Sequence, residues 1–132
     1  MQRAAKSLRI GIHAWFPAIV LVLVGYVFEW LGFYKFWPSL DVPMHALGGA
    51  LVAYAIHQII QTAPKSVLPT NNIVKGLFVV SLTALVTIAW ETYELLQDIF
   101  FGTVSQLGVV DALADMWIGI IAAAVYWIMR SR

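Results

Sequence analysis

The sequence contains no cysteine, which excludes a disulfide framework, a thiolate metal site and a cysteine nucleophile. Charged residues are also scarce, since Asp, Glu, Lys and Arg make up 11% of the 132 residues, whereas a soluble domain carries about 25%. A soluble chain with so few charges cannot cover its own surface with polar groups. Because 61% of the residues are hydrophobic, we interpret the chain as a membrane protein.

The sequence also lacks the motifs of several soluble activities. It has no glycine-rich phosphate loop and no nucleophile elbow. Its few basic residues are scattered, so they form no patch of the kind that binds nucleic acid. We therefore expect no nucleic-acid partner, and the chemistry has to be sought among the polar residues of the hydrophobic stretches.

Four hydrophobic stretches are long enough to cross a bilayer, which takes about 20 residues. They predict an all-α fold, an integral membrane bundle of four transmembrane helices that forms one domain over residues 1–132. The first stretch follows a basic start, as in a signal peptide, but it is too long for a signal core and no cleavage site follows it. We expect it to be retained. The predicted spans are about 10–31, 43–62, 73–96 and 109–129.

The basic residues predict the orientation of the bundle. An even number of spans puts both termini on one side, and seven of the eight Lys and Arg residues fall on that side, with Lys35 alone on the other. Basic residues mark the cytoplasmic side of a membrane protein. We therefore predict a multi-pass protein of the cell inner membrane with both termini in the cytoplasm. The seven are Arg3, Lys6, Arg9, Lys65, Lys75, Arg130 and Arg132.

Acidic residues gather at the opposite ends of the predicted spans. In the stretch WETYELLQD, Glu91 and Glu94 lie three residues apart and share one helix face. Asp111 and Asp115 lie one turn apart on the next span, and His45 lies near the start of the second. At about 1.5 Å of rise per residue, all five side chains reach a similar depth. We predict that they form one pocket that opens to the outer side.

The carboxylates of this predicted pocket lack basic partners, because Lys35 is the only Lys or Arg on that side. Like charges in one site cannot all stay ionised without compensation, so either some are protonated or a cation lies among them. Carboxylates with one imidazole suit a divalent Mg, Ca, Mn, Fe or Zn ion. The candidate metal ligands are His45, Glu91, Glu94, Asp111 and Asp115, of which Glu91 and Glu94 are also candidate general bases. Three shallower acidic residues are expected to be solvated at the lipid headgroups, namely Glu29, Asp41 and Asp98.

Three short motifs resemble those of VanZ-like membrane proteins. ELLQ (94–97) is similar to the Glu-x-x-Gln motif of that family, DALADMWIG (111–119) to its Asp-x-x-x-Asn motif, and DVPMHALGGALVAY (41–54) to its Asp-x-x-x-His motif. The chain departs from that pattern at Val42 and Asp115, where the family has Lys and Asn. The residues also resemble a group of bacterial inner-membrane proteins with a His-Gly-Gly, Glu-x-x-Glu and Asp-x-x-x-Asp arrangement. The resemblance implies a four-span protein linked to envelope lipids or glycopeptide tolerance.

Three functions stay open at the level of the sequence, and whether the chain is an enzyme stays open with them. The first, which we rank highest, is an enzyme or lipid-handling protein whose acidic pocket acts on or binds headgroups of envelope lipids or polyprenyl phosphates, with a divalent ion as the possible cofactor. The second is a proton- or cation-coupled transport element. The third is an accessory or structural subunit whose carboxylates pair with basic groups of a membrane-protein partner or of another copy.

Overall fold

The computed structural model describes residues 2–62, 64, 69 and 71–132, with side chains from residue 13 onward. These residues form helices, turns and loops and no strand. Four of the helices are long and apolar enough to cross a membrane, which confirms the all-α, four-span prediction. The elements are α1 (Gln2–Trp30), α2 (Phe33–Phe36), a 3₁₀ turn (Pro38–Leu40), α3 (Asp41–Thr62), α4 (Asn72–Phe101) and α5 (Val109–Arg130).

The bounds of these helices differ from the predicted spans at several ends. The connector between the first two spans, whose aromatic residues suit the membrane interface, contains α2 and the 3₁₀ turn. Because the 3₁₀ turn leads directly into α3, that helix begins at Asp41 and not near residue 43. Helix α4 continues to Phe101, past the predicted end near residue 96. No proline or glycine lies between Leu96 and Gly102, which adopts a left-handed backbone (φ 67°) and donates its amide to the carbonyl of Asp98.

The stretch 63–72 is polar and contains two prolines, which predicts a loop, and it lies mostly outside the described residues. Its last residues are described, and Asn71 is the N-cap of α4. The side-chain oxygen of Asn71 accepts a hydrogen bond from the amide of Ile73 at 2.7 Å. Such a cap satisfies one of the amides that a helix leaves free at its N-terminus, so the start of α4 is fixed locally.

Helix α3 is central, because it packs against α1, α4 and α5, while α4 and α5 also pack against each other. The α3–α5 crossing is very close at Gly49. A Cβ atom on Gly49 would lie 2.6 Å from the Cα of Gly119, and one on Gly119 would lie 2.7 Å from Thr87 Cγ2 of α4. Small residues permit such an approach between membrane helices. The three helices α3, α4 and α5 therefore meet at one level.

The sequence predicts that the second, third and fourth spans pack together through Gly48, Gly49 and the acidic residues, with the first span more peripheral. The second, third and fourth spans pack together as expected, and Gly49 lies in their contact. Gly48 was expected in the same contact, but it faces α1, where the nearest atom to a Cβ on Gly48 would be Leu21 Cδ2 at 3.9 Å. Adjacent residues on a helix point about 100° apart, so only one of the two glycines can face α5.

Large apolar side chains cover the outer surface of the spans. Phe16, Leu23, Leu77, Leu85 and Ile121 are all more than half exposed. Such a surface would cost a great deal of free energy in water, whereas lipid tails solvate it. The exposed side chains thus support the interpretation that the four long helices lie in a bilayer.

The predicted orientation can be tested with reporter fusions. Three of its determinants, Arg3, Lys6 and Arg9, have side chains outside the described part, and Lys65 lies outside it altogether. A reporter fused after Arg132 should give a cytoplasmic signal, because basic residues favour that side. The same reporter fused after Gly108, which follows three spans, should give the opposite signal. A periplasmic signal from the fusion after Arg132 would contradict the prediction.

Candidate functional site

Five polar side chains meet near the end of the bundle that carries α2 and the α4–α5 loop. We call them the carboxylate–imidazole cluster, which consists of Asp41, His45, Glu91, Glu94 and Asp115. Helix α3 contributes the first two, α4 the next two and α5 the last. Gly49 and Gly119 lie one turn after His45 and Asp115, so a very close contact between the α3 and α5 backbones lies directly beneath the cluster.

The imidazole of His45 lies between two pairs of carboxylates. Its Nε2 atom is 3.3 Å from Asp41 Oδ1 and 4.0 Å from Asp115 Oδ2, and its Nδ1 atom is 3.6 Å from Glu91 Oε1. Glu94 has an oxygen within 4.8 Å of the ligand atoms of His45 and Glu91. Side chains from three helices therefore share one imidazole.

Glu91 is the most deeply buried carboxylate of the cluster, with 2% of its surface exposed, and Asp115 follows with 5%. The Oε2 atom of Glu91 accepts a hydrogen bond from Gln106 Nε2 at 3.0 Å, and the same nitrogen donates to the backbone oxygen of Glu91 at 2.7 Å. Its Oε1 atom is buried and has no hydrogen-bond partner. A buried polar atom without a partner costs about 1–3 kcal/mol, so this oxygen calls for an explanation.

The loop after α4 holds Gln106 in place through Asp98. The carboxylate of Asp98 accepts hydrogen bonds from Thr103 Oγ1 at 2.6 Å, from the amide of Ser105 at 2.8 Å and from the amide of Gln106 at 2.9 Å. Asp98 thus anchors the loop through these bonds, where we had expected a solvated group at the headgroups. The result is a fixed Gln106 side chain that points back to Glu91.

Glu94 and Asp111, the remaining predicted ligands, are each fixed by a hydrogen bond. Glu94 Oε1 accepts a hydrogen bond from Trp90 Nε1 at 2.8 Å, which orients it one turn from Glu91. Asp111 lies in the first turn of α5, and its Oδ2 atom accepts the amide of Leu107 at 3.1 Å. The structure therefore brings His45, Glu91, Glu94 and Asp115 together, but it leaves Asp111 outside the cluster because that carboxylate is bound to the loop.

Two residues of the site were missed by sequence reasoning. Asp41 was expected at the headgroups, yet it is the carboxylate closest to His45. Its position four residues before His45 would have placed both on one helix face, had α3 been predicted to start at Asp41. Gln106 was not considered, and no signal in the sequence marks it, because its contact with Glu91 depends on the path of the loop.

Tyrosines border the cluster on the side of α1 and α2. Tyr26 and Tyr93 form a hydrogen bond through their hydroxyl groups and so join α1 to α4. Tyr34 lies on α2, outside the four spans. Burial, together with the negative charge of Asp41, raises the pKa of Tyr34 to about 12. Its phenol therefore stays protonated at neutral pH and adds no charge to the acidic end of the bundle.

Two sets of side chains have the geometry to hold a metal ion. One consists of Asp41, His45 and Asp115, and the other of His45, Glu91 and Glu94; within each set, one ligand atom per residue lies within 4.8 Å of the others. Among the described residues, the ion pairs of these carboxylates are all made with His45. One imidazolium can carry one positive charge, whereas the cluster has four carboxyl groups.

Comparison with known proteins identifies a family for this chain. A family model described as "Predicted membrane protein (DUF2238)" matches residues 4–132, so the chain belongs to that family. No curated protein and no solved structure matches it. The family supports the membrane-protein part of the expected resemblance, and the link to VanZ-like proteins stays a prediction.

Proposed function

We propose that this member of the DUF2238 family of predicted membrane proteins binds a divalent cation in the carboxylate–imidazole cluster. The observation that carries the proposal is the Oε1 atom of Glu91, which is buried without a hydrogen-bond partner and faces His45 Nδ1 at 3.6 Å. We assign the ring proton of His45 to Nε2, because the nearest acceptor, Asp41 Oδ1, lies beside that nitrogen at 3.3 Å.

With that assignment, two lone pairs face each other. Nδ1 of a neutral imidazole accepts and does not donate, and so does an ionised carboxylate oxygen. An ion between them would satisfy both atoms. Two ligands about 2.1 Å from a tetrahedral ion are separated by about 3.4 Å, which is close to the 3.6 Å observed between these two atoms.

The charge of the cluster supports a cation as well. A divalent ion offsets two of the four carboxylates in a setting where Glu91 and Asp115 are almost fully buried. In the proposed site, the atoms that bind the ion directly are His45 Nδ1 and one carboxylate oxygen each of Glu91 and Glu94. Asp41 then accepts the proton of His45 Nε2 in a hydrogen bond, and Asp115 lies near the same nitrogen. Both orient the ring, as carboxylates behind a metal-bound histidine commonly do.

We further propose that the site acts on phosphate-bearing headgroups of envelope lipids at the outer face of the inner membrane. The cluster lies near the ends of three spans, at a depth that headgroups reach. A bound ion supplies polarisation of a phosphate oxygen. Glu94 is a ligand in this site and not a general base, because Trp90 Nε1 occupies its Oε1 atom and the ion would take its other oxygen. The motifs that resemble VanZ-like proteins agree with an envelope role.

A transport path receives less support from the described residues. On the far side of the Gly49–Gly119 contact, the bundle is filled by Ala53, Val79 and Ala123, all with 0% exposure. The hydroxyl of Thr83 at this level is bound to the carbonyl of Val79. An apolar layer of this kind separates the cluster from His57 and offers no chain of polar groups along which a proton or ion could move.

The cation proposal is tested by metal titration of the purified protein. After treatment with a chelator in detergent, wild-type protein should bind about one Mn²⁺ or Zn²⁺ per chain in calorimetry. Glu91→Gln keeps the shape of the side chain but removes its charge, and should weaken binding at least about 100-fold, since even outer-shell changes cost 10–100-fold. Glu29→Gln is the matched control, because Glu29 is exposed in the last turn of α1. This variant should bind the ion as wild type does.

Two results would contradict the proposal. One is wild-type protein that is folded and monodisperse but takes up no divalent ion. The other is an equal affinity in wild type and Glu91→Gln, which would place the ion elsewhere on the molecule. Thermal melting of each variant without metal separates a loss of ligand from a loss of fold.

A further inference from the structure

A cavity of about 670 Å³ lies at the opposite end of the bundle from the carboxylate–imidazole cluster. It is bordered by the last turns of α3 and α5 and by the first turn of α4. Three cationic side chains line it, namely Lys75, Arg130 and Arg132, and no acidic residue is among its described lining residues. The cavity therefore has a positive charge that the described residues around it do not offset.

The inner wall of this cavity is fixed by aromatic packing and hydrogen bonds. Gly76 lets the indole of Trp127 lie against α4, since a Cβ on Gly76 would be 2.5 Å from Trp127 Cδ1. The ring of His57 packs against Trp127 with centroids 5.2 Å apart. Both ring nitrogens of His57 are used, because Nδ1 bonds to Tyr126 at 2.9 Å and Nε2 accepts from Gln61 at 3.0 Å. The positive charge of the cavity therefore comes from Lys75, Arg130 and Arg132 and not from His57.

The cavity is apolar in one part and cationic in another. The partly exposed ring of Trp127 lines it together with the three basic residues, and Ile60 of the hydrophobic core is a further apolar lining residue. An inorganic anion would use only the cationic part. An amphiphile with a phosphate next to a hydrocarbon chain would match both parts, which distinguishes a lipid from a soluble phosphate.

We propose that this cavity binds the phosphate of an anionic phospholipid headgroup. Arginine forms paired, charge-assisted hydrogen bonds with phosphate oxygens, and basic pockets between transmembrane helices on the cytoplasmic side bind anionic headgroups. The polar side chains of Asn72 and Gln61 lie at the same cavity and supply further hydrogen-bonding groups. This site is separate from the proposed cation site, and neither proposal depends on the other.

The experiment measures lipid binding to the full chain, purified in detergent, stripped of lipid and kept with a chelator so that no divalent ion contributes. The probes are phosphatidylglycerol, phosphatidylcholine and inorganic phosphate, and the readouts are native mass spectrometry and thermal melting. Phosphatidylglycerol should bind and raise the melting temperature more than phosphatidylcholine does. Lys75→Gln and Arg130→Gln should each weaken phosphatidylglycerol binding about fivefold, and the double variant about 25-fold, if the two contributions add.

Lys35→Gln is the matched control, because Lys35 is an exposed cation on α2 at the other end of the bundle. Its binding of phosphatidylglycerol should equal that of wild type. Equal binding of the two lipids, or an equal loss in Lys35→Gln and Lys75→Gln, would overturn the proposal. Inorganic phosphate that displaces phosphatidylglycerol at low millimolar concentration would overturn the lipid source and assign the cavity to a soluble phosphate.

Discussion

Gly49→Ala is expected to destabilise the folded bundle by about 3 kcal/mol or more, at the upper end of the cost of overpacking a core. The added methyl group would lie 2.6 Å from the Cα and 2.7 Å from the carbonyl carbon of Gly119. Both atoms belong to the backbone of α5 and cannot turn aside as a flexible side chain does. Helices α3 and α5 would have to separate at the level just beneath His45 and Asp115. Thermal melting and size-exclusion chromatography of the detergent-purified protein measure the effect.

The neighbouring residue supplies the control for this substitution. Gly48→Ala adds the same methyl group on the same helix, but its nearest neighbour would be Leu21 Cδ2 at an ordinary contact distance of 3.9 Å. Its melting temperature should stay close to that of wild type, since the change also removes the entropy cost of a helical glycine. A similar melting temperature for both variants would show that α3 and α5 do not cross closely at Gly49.

His45→Ala should reduce divalent-ion binding below detection, a larger effect than that of Glu91→Gln. His45 belongs to both sets of candidate ligands, whereas each carboxylate belongs to one. Without the imidazole, the second set keeps two carboxylates from adjacent turns of α4, and the first set keeps Asp41 and Asp115 without their shared partner. Calorimetry with Mn²⁺ and Zn²⁺ on chelator-treated protein gives the affinity, and thermal melting reports whether the variant is folded.

His13→Ala is the control for this variant, because His13 is an exposed histidine on α1. It should keep the affinity of wild type for both ions, which excludes a general effect of removing one imidazole. Asp41→Asn is informative in addition. It leaves the set of His45, Glu91 and Glu94 intact and should cost about 10–100-fold, the range for a group behind a ligand. A folded His45→Ala protein with unchanged ion binding would refute the proposed site.

The fold was predictable from the sequence because the membrane permits few alternatives. Backbone polar groups in lipid must be satisfied within each segment, so long apolar stretches become helices. The ends of the helices were less predictable. The aromatic connector 32–41 suits the membrane interface, and its composition does not show that it contains α2. Pro38 and Pro43 are both compatible with a helix α3 that starts at Asp41. Helix α4 ran past Leu96 because its stop depends on the conformation of Gly102.

The candidate site was predictable as far as helix periodicity reaches. Spacing on α4 aligned Glu91 with Glu94, and the depths along the spans brought His45 and Asp115 to the same level. Periodicity cannot show which of two carboxylates one turn apart faces the bundle, and here Asp115 does while Asp111 binds the loop. It also gives no information on Gln106, whose contact with Glu91 crosses a loop of irregular backbone. The unpartnered Glu91 oxygen follows only from the way the three helices pack.

The hydrogen bonds that run from Asp98 through Gln106 to Glu91 have a thermodynamic consequence. The loop after α4 and the buried carboxylate form one connected unit, so any ligand that orders one of them changes the free energy of ordering the other. Such a coupling is reciprocal. An ion that fixes Glu91 would slow amide exchange in the loop. If the ion changes the affinity of the loop for a second molecule, that molecule changes the affinity of the cluster for the ion by the same factor. The loop is thereby a place from which the membrane surface can tune the interior of the bundle.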